Sequence, residues 1–500
     1  DYSVRAGHRS LEQLAYEEAA RHFGAAVKVL ESKDAPSPPP DQSRLCELLQ
    51  NLGEAQRRAG QPASLETFQR AFEVARSVGG VGAGDQMALA AIAFEWLTWS
   101  INKPDVNSVL LCKEALLALP ADRHDRKTLR AKLLAALARA LQGLGFAEEA
   151  AGLAREAVEL ARQVREPLCY VLELVLYMSS GPAHMGERLP YAIECLEAAR
   201  EALDLERMMF GTTRWIYALF EAGEIAGVDR AMQELESTVR QIRQPQYTYV
   251  QVGFVTMRAL LEGRFTEAEQ LALQALNLGQ RLQSQSAEGI FGMQMFLLRR
   301  EQGRLHEVAP IVEMFVKQHS GSSFKPGLAL MYAELGLIDK ARTVFEELAV
   351  NEFTGIQQDA LWAASITFLV EVCATLGDRD RAEVLYRLLS PYATYAVVAS
   401  EWASFGAASR FLGQLSATMG RWQEAESHFD QALAMNAAMG AKPWLAHTQF
   451  QYAHMLLERS TDGDIERARI LLDESDTLTQ QLGMRLLQTR IATARRQAAG

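Results

Sequence analysis

The chain has 500 residues, with 51 Lys and Arg against 62 Asp and Glu, giving a formal net charge of −11 at pH 7 and a pI near 5.5. That balance argues against direct nucleic-acid binding, which needs a basic face, and no run of lysine or arginine supplies one. A hydrophobic share of 49% does not suggest disorder, and neither a signal peptide nor a membrane span is legible, since the longest apolar stretch, 360–376, carries Glu371.

The first element, 1–31, opens on Asp1-Tyr2 in what already reads as a helix, as expected of a fragment cut from something longer. A truncated first repeat begins at Tyr16, with Ala19, Phe23 and Ala26 on one face. A proline-rich connector follows at 32–43, holding Pro36, Pro38, Pro39 and Pro40. Repeats then fill 44–318. Gly60 punctuates the first, and Gly79, Gly80, Gly82 and Gly84 make a loose loop after it. That loop is no phosphate cradle, because no lysine-serine pair follows and it does not join a strand to a helix. Lys103 stands where a further turn glycine belongs, ahead of Cys112 and Ala115. Gly145 with Ala150, a degenerate copy at 181–186, Gly223, Gly263 with Ala268, Ala272 and Ala275, and Gly303 continue the series. His319 to Gly327 breaks it, and reads either as a kink or as a loop closing over the inner surface. The last block, 328–500, has Gly336 with Ala341 and Phe345, Gly377 with Ala382 and Tyr386, Gly420 with Ala425 and Phe429, and Gly463 with Ala468.

Each copy is a turn glycine, a small residue five on, and apolar residues nine and twelve on. Most steps are about 40 to 43 residues; Gly303 to Gly336 spans 33. The glycine ends one helix by taking positive φ. The residues at +5, +9 and +12 share one face of the next helix, and alanine at +5 lets the two helices approach closely. Each hairpin leaves an apolar flank that only its neighbour covers. The expected fold is therefore all-α: one continuous superhelix of about twelve helical hairpins over 1–500, an α-solenoid. The copy Leu412-Gly413, Gly420, Trp422, Ala425, Phe429, Ala432 resembles the tetratricopeptide repeat, as does Leu52-Gly53 before Gly60. The longer period points to the long-helix, sensor-type variant of that fold.

Chemistry is hard to find. Cys46, Cys112, Cys169, Cys195 and Cys373 form no CxxC and sit in apolar helical stretches, as buried free thiols of a reducing cytoplasm do. His447 and His454 are seven apart, but no third ligand joins them in a metal-site spacing, so they read as core or surface histidines. No P-loop, nucleophile elbow or paired-carboxylate site is present. The chain is expected to be non-catalytic, without metal or cofactor.

Function should then lie on the inner face, lined by the first helix of each hairpin at about 3, 6, 10 and 13 residues before the turn glycine. The set before Gly60 is polar: Arg57, Glu54, Gln50 and Glu47. The sets between about 205 and 305 are apolar and aromatic, which fits either a binding surface or repeats packed tightly on one another. The candidate effector-binding residues are Phe210, Tyr217, Met257, Met293, Arg300, Glu371 and Arg410.

The opening Arg5-Ala6-Gly7-His8-Arg9-Ser10-Leu11 with Ala15-Tyr16-Glu17-Glu18-Ala19 resembles the helical region of large bacterial signal-transduction ATPases. These are LuxR-type activators related to the maltose-regulon activator, and similar ATPase-linked nucleotide cyclases. The closing stretch resembles the same proteins through Gly420-Arg421-Trp422, Met439-Gly440-Ala441-Lys442-Pro443-Trp444-Leu445-Ala446, Ala468-Arg469 and Leu482-Gly483-Met484. The resemblance implies a cytoplasmic sensor domain that binds an inducer or a regulatory protein and relieves autoinhibition of a linked ATPase; the leading expectation is a small-molecule effector held inside the superhelix. ATPase and output domains would belong to a parent protein, because this chain carries neither P-loop nor helix-turn-helix. The alternative is a scaffold that clasps a peptide or a partner domain.

Overall fold

The computed structural model describes residues 2–499 other than 14, 32–41, 81, 101–104, 120–125, 180, 283, 285, 319–323 and 401. Most of the proline-rich connector, Lys103 and the first part of the 319–327 segment lie outside the described residues. The chain divides into two compact units: 1–178 with 197–202, and 179–196 with 203–500. No described helix is long and apolar enough to cross a membrane.

In the first unit the helices pack pairwise in chain order. They are α1 (Tyr2–Glu12), α2 (Tyr16–Glu31), α3 (Gln42–Arg58), α4 (Ser64–Val78), α5 (Ala83–Ser100), α6 (Val106–Ala118), α7 (Lys127–Gly143), α8 (Ala147–Val164) and α9 (Leu168–Met178). The buried stripe is the one the repeat demands: Ala19, Phe23 and Ala26 on α2, Phe68, Ala71 and Ala75 on α4, Ala150 and Ala157 on α8. A Cβ on Gly53 would lie 2.9 Å from the Phe68 ring, so the glycine of the Leu-Gly pair is where the facing aromatic seats. Glu95 and Arg139 form a bidentate pair at 2.9 and 2.6 Å, with both side chains almost wholly buried.

The division between units runs through α10 (Met185–Glu201). The second unit continues with α11 (Leu205–Ala222), α12 (Ile225–Ile242), α13 (Pro245–Glu262), α14 (Phe265–Arg281), α15 (Ala287–Glu301), α16 (Ala309–Gln318), α17 (Lys325–Glu334) and α18 (Ile338–Leu348). Then come α19 (Trp362–Leu376), α20 (Arg379–Leu389), α21 (Ala408–Thr418), α22 (Trp422–Ala438), α23 (Lys442–Arg459), α24 (Asp464–Leu482) and α25 (Arg485–Ala499). Gly60, Gly145, Gly223, Gly263, Gly303, Gly336, Gly377, Gly420 and Gly463 take positive φ, from 65° at Gly377 to 90° at Gly145, whereas Gly181 of the degenerate copy is extended at φ −78°. The +5 alanines Ala268, Ala341, Ala382, Ala425 and Ala468 are fully buried. The short step between Gly303 and Gly336 comes from two ten-residue helices, α16 and α17.

Two features of the second unit go beyond a simple stack. First, its repeats close on themselves: α13 packs on α23 and α15 on α25. A Cβ on Gly223 would meet Met435 at 2.8 Å, and one on Gly263 would meet Leu482 at 2.8 Å. Second, an antiparallel hairpin, β1 (Ala396–Ala399) and β2 (Ala403–Ala407), lies in the core with every strand residue buried. It packs against α11, α13, α19, α21 and α22. Its backbone is tied in by side chains: Trp444 Nε1 donates to the Ser404 carbonyl at 2.9 Å, Gln294 Nε2 to the Trp402 carbonyl at 3.1 Å, and the Ala407 amide to Asn436 Oδ1 at 2.9 Å. The fold is otherwise all-α, as expected.

Candidate functional site

The apolar candidates lie in or against the hydrophobic core. Tyr217 and Met257 are buried within the core that also holds the hairpin, and Met293 packs half-buried against it. Phe210 is half-buried beneath the Arg214 guanidinium, 5.1 Å from its ring centre. The apolar inner lining of 205–305 is therefore largely occupied by the chain itself, through repeat closure and the strand pair.

The three charged candidates come together. Arg300, in the last turn of α15, donates from Nη2 to Glu371 Oε2 on α19. Arg410, in the first turn of α21, donates to the other Glu371 oxygen at 3.1 Å. Further neighbours, outside the candidate set, extend the cluster. Arg300 Nε and Nη2 reach Glu334 on α17 at 3.2 and 2.7 Å, and Arg490 on α25 donates to Glu334 at 2.6 Å. Arg410 reaches Gln451 at 3.2 Å and stacks over Phe411, 3.9 Å from the ring centre. His447 Nε2 lies 3.1 and 3.0 Å from the Glu301 oxygens. Arg300, Arg410, Glu334, Glu371, Glu301 and His447 are all buried.

Burial alone would raise the Glu371 carboxyl, but Arg300 and Arg410 outweigh it and bring it down to about 2. Glu301 is likewise opposed by burial and still held below the ordinary carboxylate range, chiefly by His447. Buried charges of this kind persist only when paired.

A cavity of about 620 Å³ opens beside this cluster. Its buried lining includes Arg300, Glu371, His447, Phe429, Met455 and the side chain of Glu334; its exposed lining includes Arg379, His454 and Glu458. Trp422 and Phe450, both half-buried, line it as well. The helices present it in a regular way. Glu371 and Ala374 on α19, Gln414 and Ala417 on α21, and His447, Phe450, His454 and Glu458 on α23 repeat at helical spacing down one face each. The first two sets are the inner-face positions counted back from Gly377 and Gly420. Arg300 Nη1 and Gln414 Oε1, both shielded from solvent, find no hydrogen-bond partner among the described residues. No group of three or more His, Cys, Asp or Glu side chains able to hold a metal is found among those residues. His447 and His454 separate into a core and a surface residue, the latter beside Glu458 at 3.5 Å. The five cysteines are buried and free.

No protein-family model matches the chain, and no curated protein matches it. Among solved structures it is similar to the "APC/C hetero-tetramer Cut9-Hcn1", with 12% identity and a TM-score of 0.52 over 99% of this chain and 92% of that one. At that identity the likeness shows the fold: a tetratricopeptide-type all-α superhelix, in agreement with the repeat phrase.

Proposed function

We propose that the chain is a non-catalytic interaction module that holds a protein partner, in the manner of a tetratricopeptide scaffold. The observation that carries this is on α6 of the first unit. Val106, Leu110 and Leu117 are 58%, 57% and 89% exposed and fall on one face of that helix. An apolar stripe left bare on a repeat helix suits the apolar face of an amphipathic helix from a partner. The likeness to a structure named as a hetero-tetramer supports the same reading. The test is crosslinking of the full chain in its native extract, with and without the double change Leu110→Glu and Leu117→Glu. A partner crosslinked at Lys113 in the parent and missing from a variant of unchanged melting temperature is expected. A partner retained by the variant would place the contact elsewhere.

A second reading has its own support. The cavity beside Arg300, with a buried charged donor left unpaired, suits a small effector. Coupled to the resemblance to signalling ATPases, it makes the chain a sensor that relieves autoinhibition of a linked ATPase in a longer protein. The five buried thiols are in keeping with a cytoplasmic setting. Here native mass spectrometry against the denatured mass decides. A discrete small mass lost on denaturation supports an effector, and a mass that stays at that of the bare polypeptide in saturating metabolite extract counts against it.

A further inference from the structure

We propose that this cavity takes a small zwitterion of the α-amino-acid class with an apolar or aromatic side chain, an inference that rests on reading the cavity as a small-molecule site. Three observations select that class. Arg300 lines the cavity, and two of its nitrogens are engaged by Glu334 and Glu371 while Nη1 is shielded and unpaired. A guanidinium donor in that state is best satisfied by an anionic oxygen. Gln414 on α21, which also lines the cavity, offers the opposite: a shielded Oε1 that needs a donor. Both residues line the cavity, so a ligand head that carries an acceptor and a donor together suits the pair.

Charge decides which head. Three arginines and three glutamates line the cavity, and Glu371 is held ionised beside Arg300. A bare anion would meet Glu334 and Glu371 as well as Arg300, and a bare cation would meet the arginines. A molecule that carries its own ammonium beside its carboxylate matches a lining of both signs. Trp422 and Phe450 then offer an apolar wall for a side chain. The volume, about 620 Å³, lies within the few hundred to a thousand Å³ common for small-ligand pockets.

The test is calorimetric titration and thermal shift of the full chain with the free L-amino acids, succinate, inorganic phosphate, a primary alkylamine and glycerol as probes. At least one amino acid with an apolar or aromatic side chain should bind one to one and raise the melting temperature. Its N-acetyl and carboxamide derivatives should bind at least tenfold more weakly. Trp422→Ala and Gln414→Leu should each weaken binding at least tenfold; Gln414→Leu leaves the salt-bridge cluster intact and should not lower the melting temperature of the free protein. Succinate or phosphate binding more tightly than every amino acid would overturn the zwitterion in favour of an anion site, and glycerol doing so would overturn it in favour of a polyol site. If no probe binds but native mass spectrometry shows a bound small molecule, the ligand class is wrong while the cavity stands. If both are negative, the small-molecule reading falls with it.

Discussion

Glu371 shows how a single residue can be costly and retained. It sits in the apolar run Ile366 to Cys373 of α19, yet it accepts from two arginines that come from α15 and α21. Its carboxyl falls from an ordinary 4.5 to about 2 on folding. A folded value below the unfolded one means that the ion contributes stability above pH 4.5, and that this is lost as the pH falls through about 2. A shift of that size corresponds to something on the order of 3 kcal/mol. Glu371→Gln should therefore lower stability at pH 7 and flatten its dependence on pH between 4.5 and 2, read by urea unfolding at a series of pH values. In the first unit, Glu95 is pushed up by burial and opposed by Arg139. Arg139→Leu leaves that carboxylate unpaired and should cost roughly 3–5 kcal/mol, with Glu95 taking up a proton. Met257→Ala, in the core, should cost about 2–5 kcal/mol. A loss of that size by thermal melting identifies Met257 as packing.

At the scale of elements, the repeat was legible because its demands are local. A glycine that takes positive φ, as Gly420 does at 76°, and a small residue five on can be read from sequence alone. Counting back from Gly377 and Gly420 placed Glu371, Ala374, Gln414 and Ala417 on the inner face, where they line the cavity. The strand pair at 396–407 escaped because both of its faces are buried, so its Ala-Val-Val-Ala and Ala-Ser-Phe-Gly-Ala carry no alternation of polar and apolar residues. The usable sign was the length of the link between α20 and α21, too long for a helical hairpin turn. The partners of the charged cluster were hidden for another reason. Glu301 and His447 are 146 residues apart, and Glu334 and Arg490 are 156 apart, so nothing in one sequence joins them. Phe405 on β2 packs between Phe368 and Trp444, with ring centres 5.2 and 5.7 Å away. Phe405→Ala should cost about 3–5 kcal/mol by chemical denaturation; a change below about 1 kcal/mol would show that the hairpin adds little to the core.

At the scale of the molecule, repeat arrays usually have only neighbour contacts and gain stability repeat by repeat. The second unit departs from that rule, since α13 meets α23 and α15 meets α25. Hydrogen exchange in mild denaturant should find these four helices opening together, and sequential opening from the C-terminal end would contradict the closure. Closure also fills much of the apolar inner face of the middle repeats with the chain's own side chains; the charged cavity and the exposed stripe of α6 are the binding features proposed above. On the proposed reading, this chain works by holding a partner. Its most direct test is the native mass of the tagged chain released gently from its own cells. A discrete assembly larger than the 55.4 kDa chain, reduced to the single chain by the paired Leu110→Glu and Leu117→Glu change, is the result expected. An unsubstituted chain that runs alone at its own mass under the same conditions contradicts that reading.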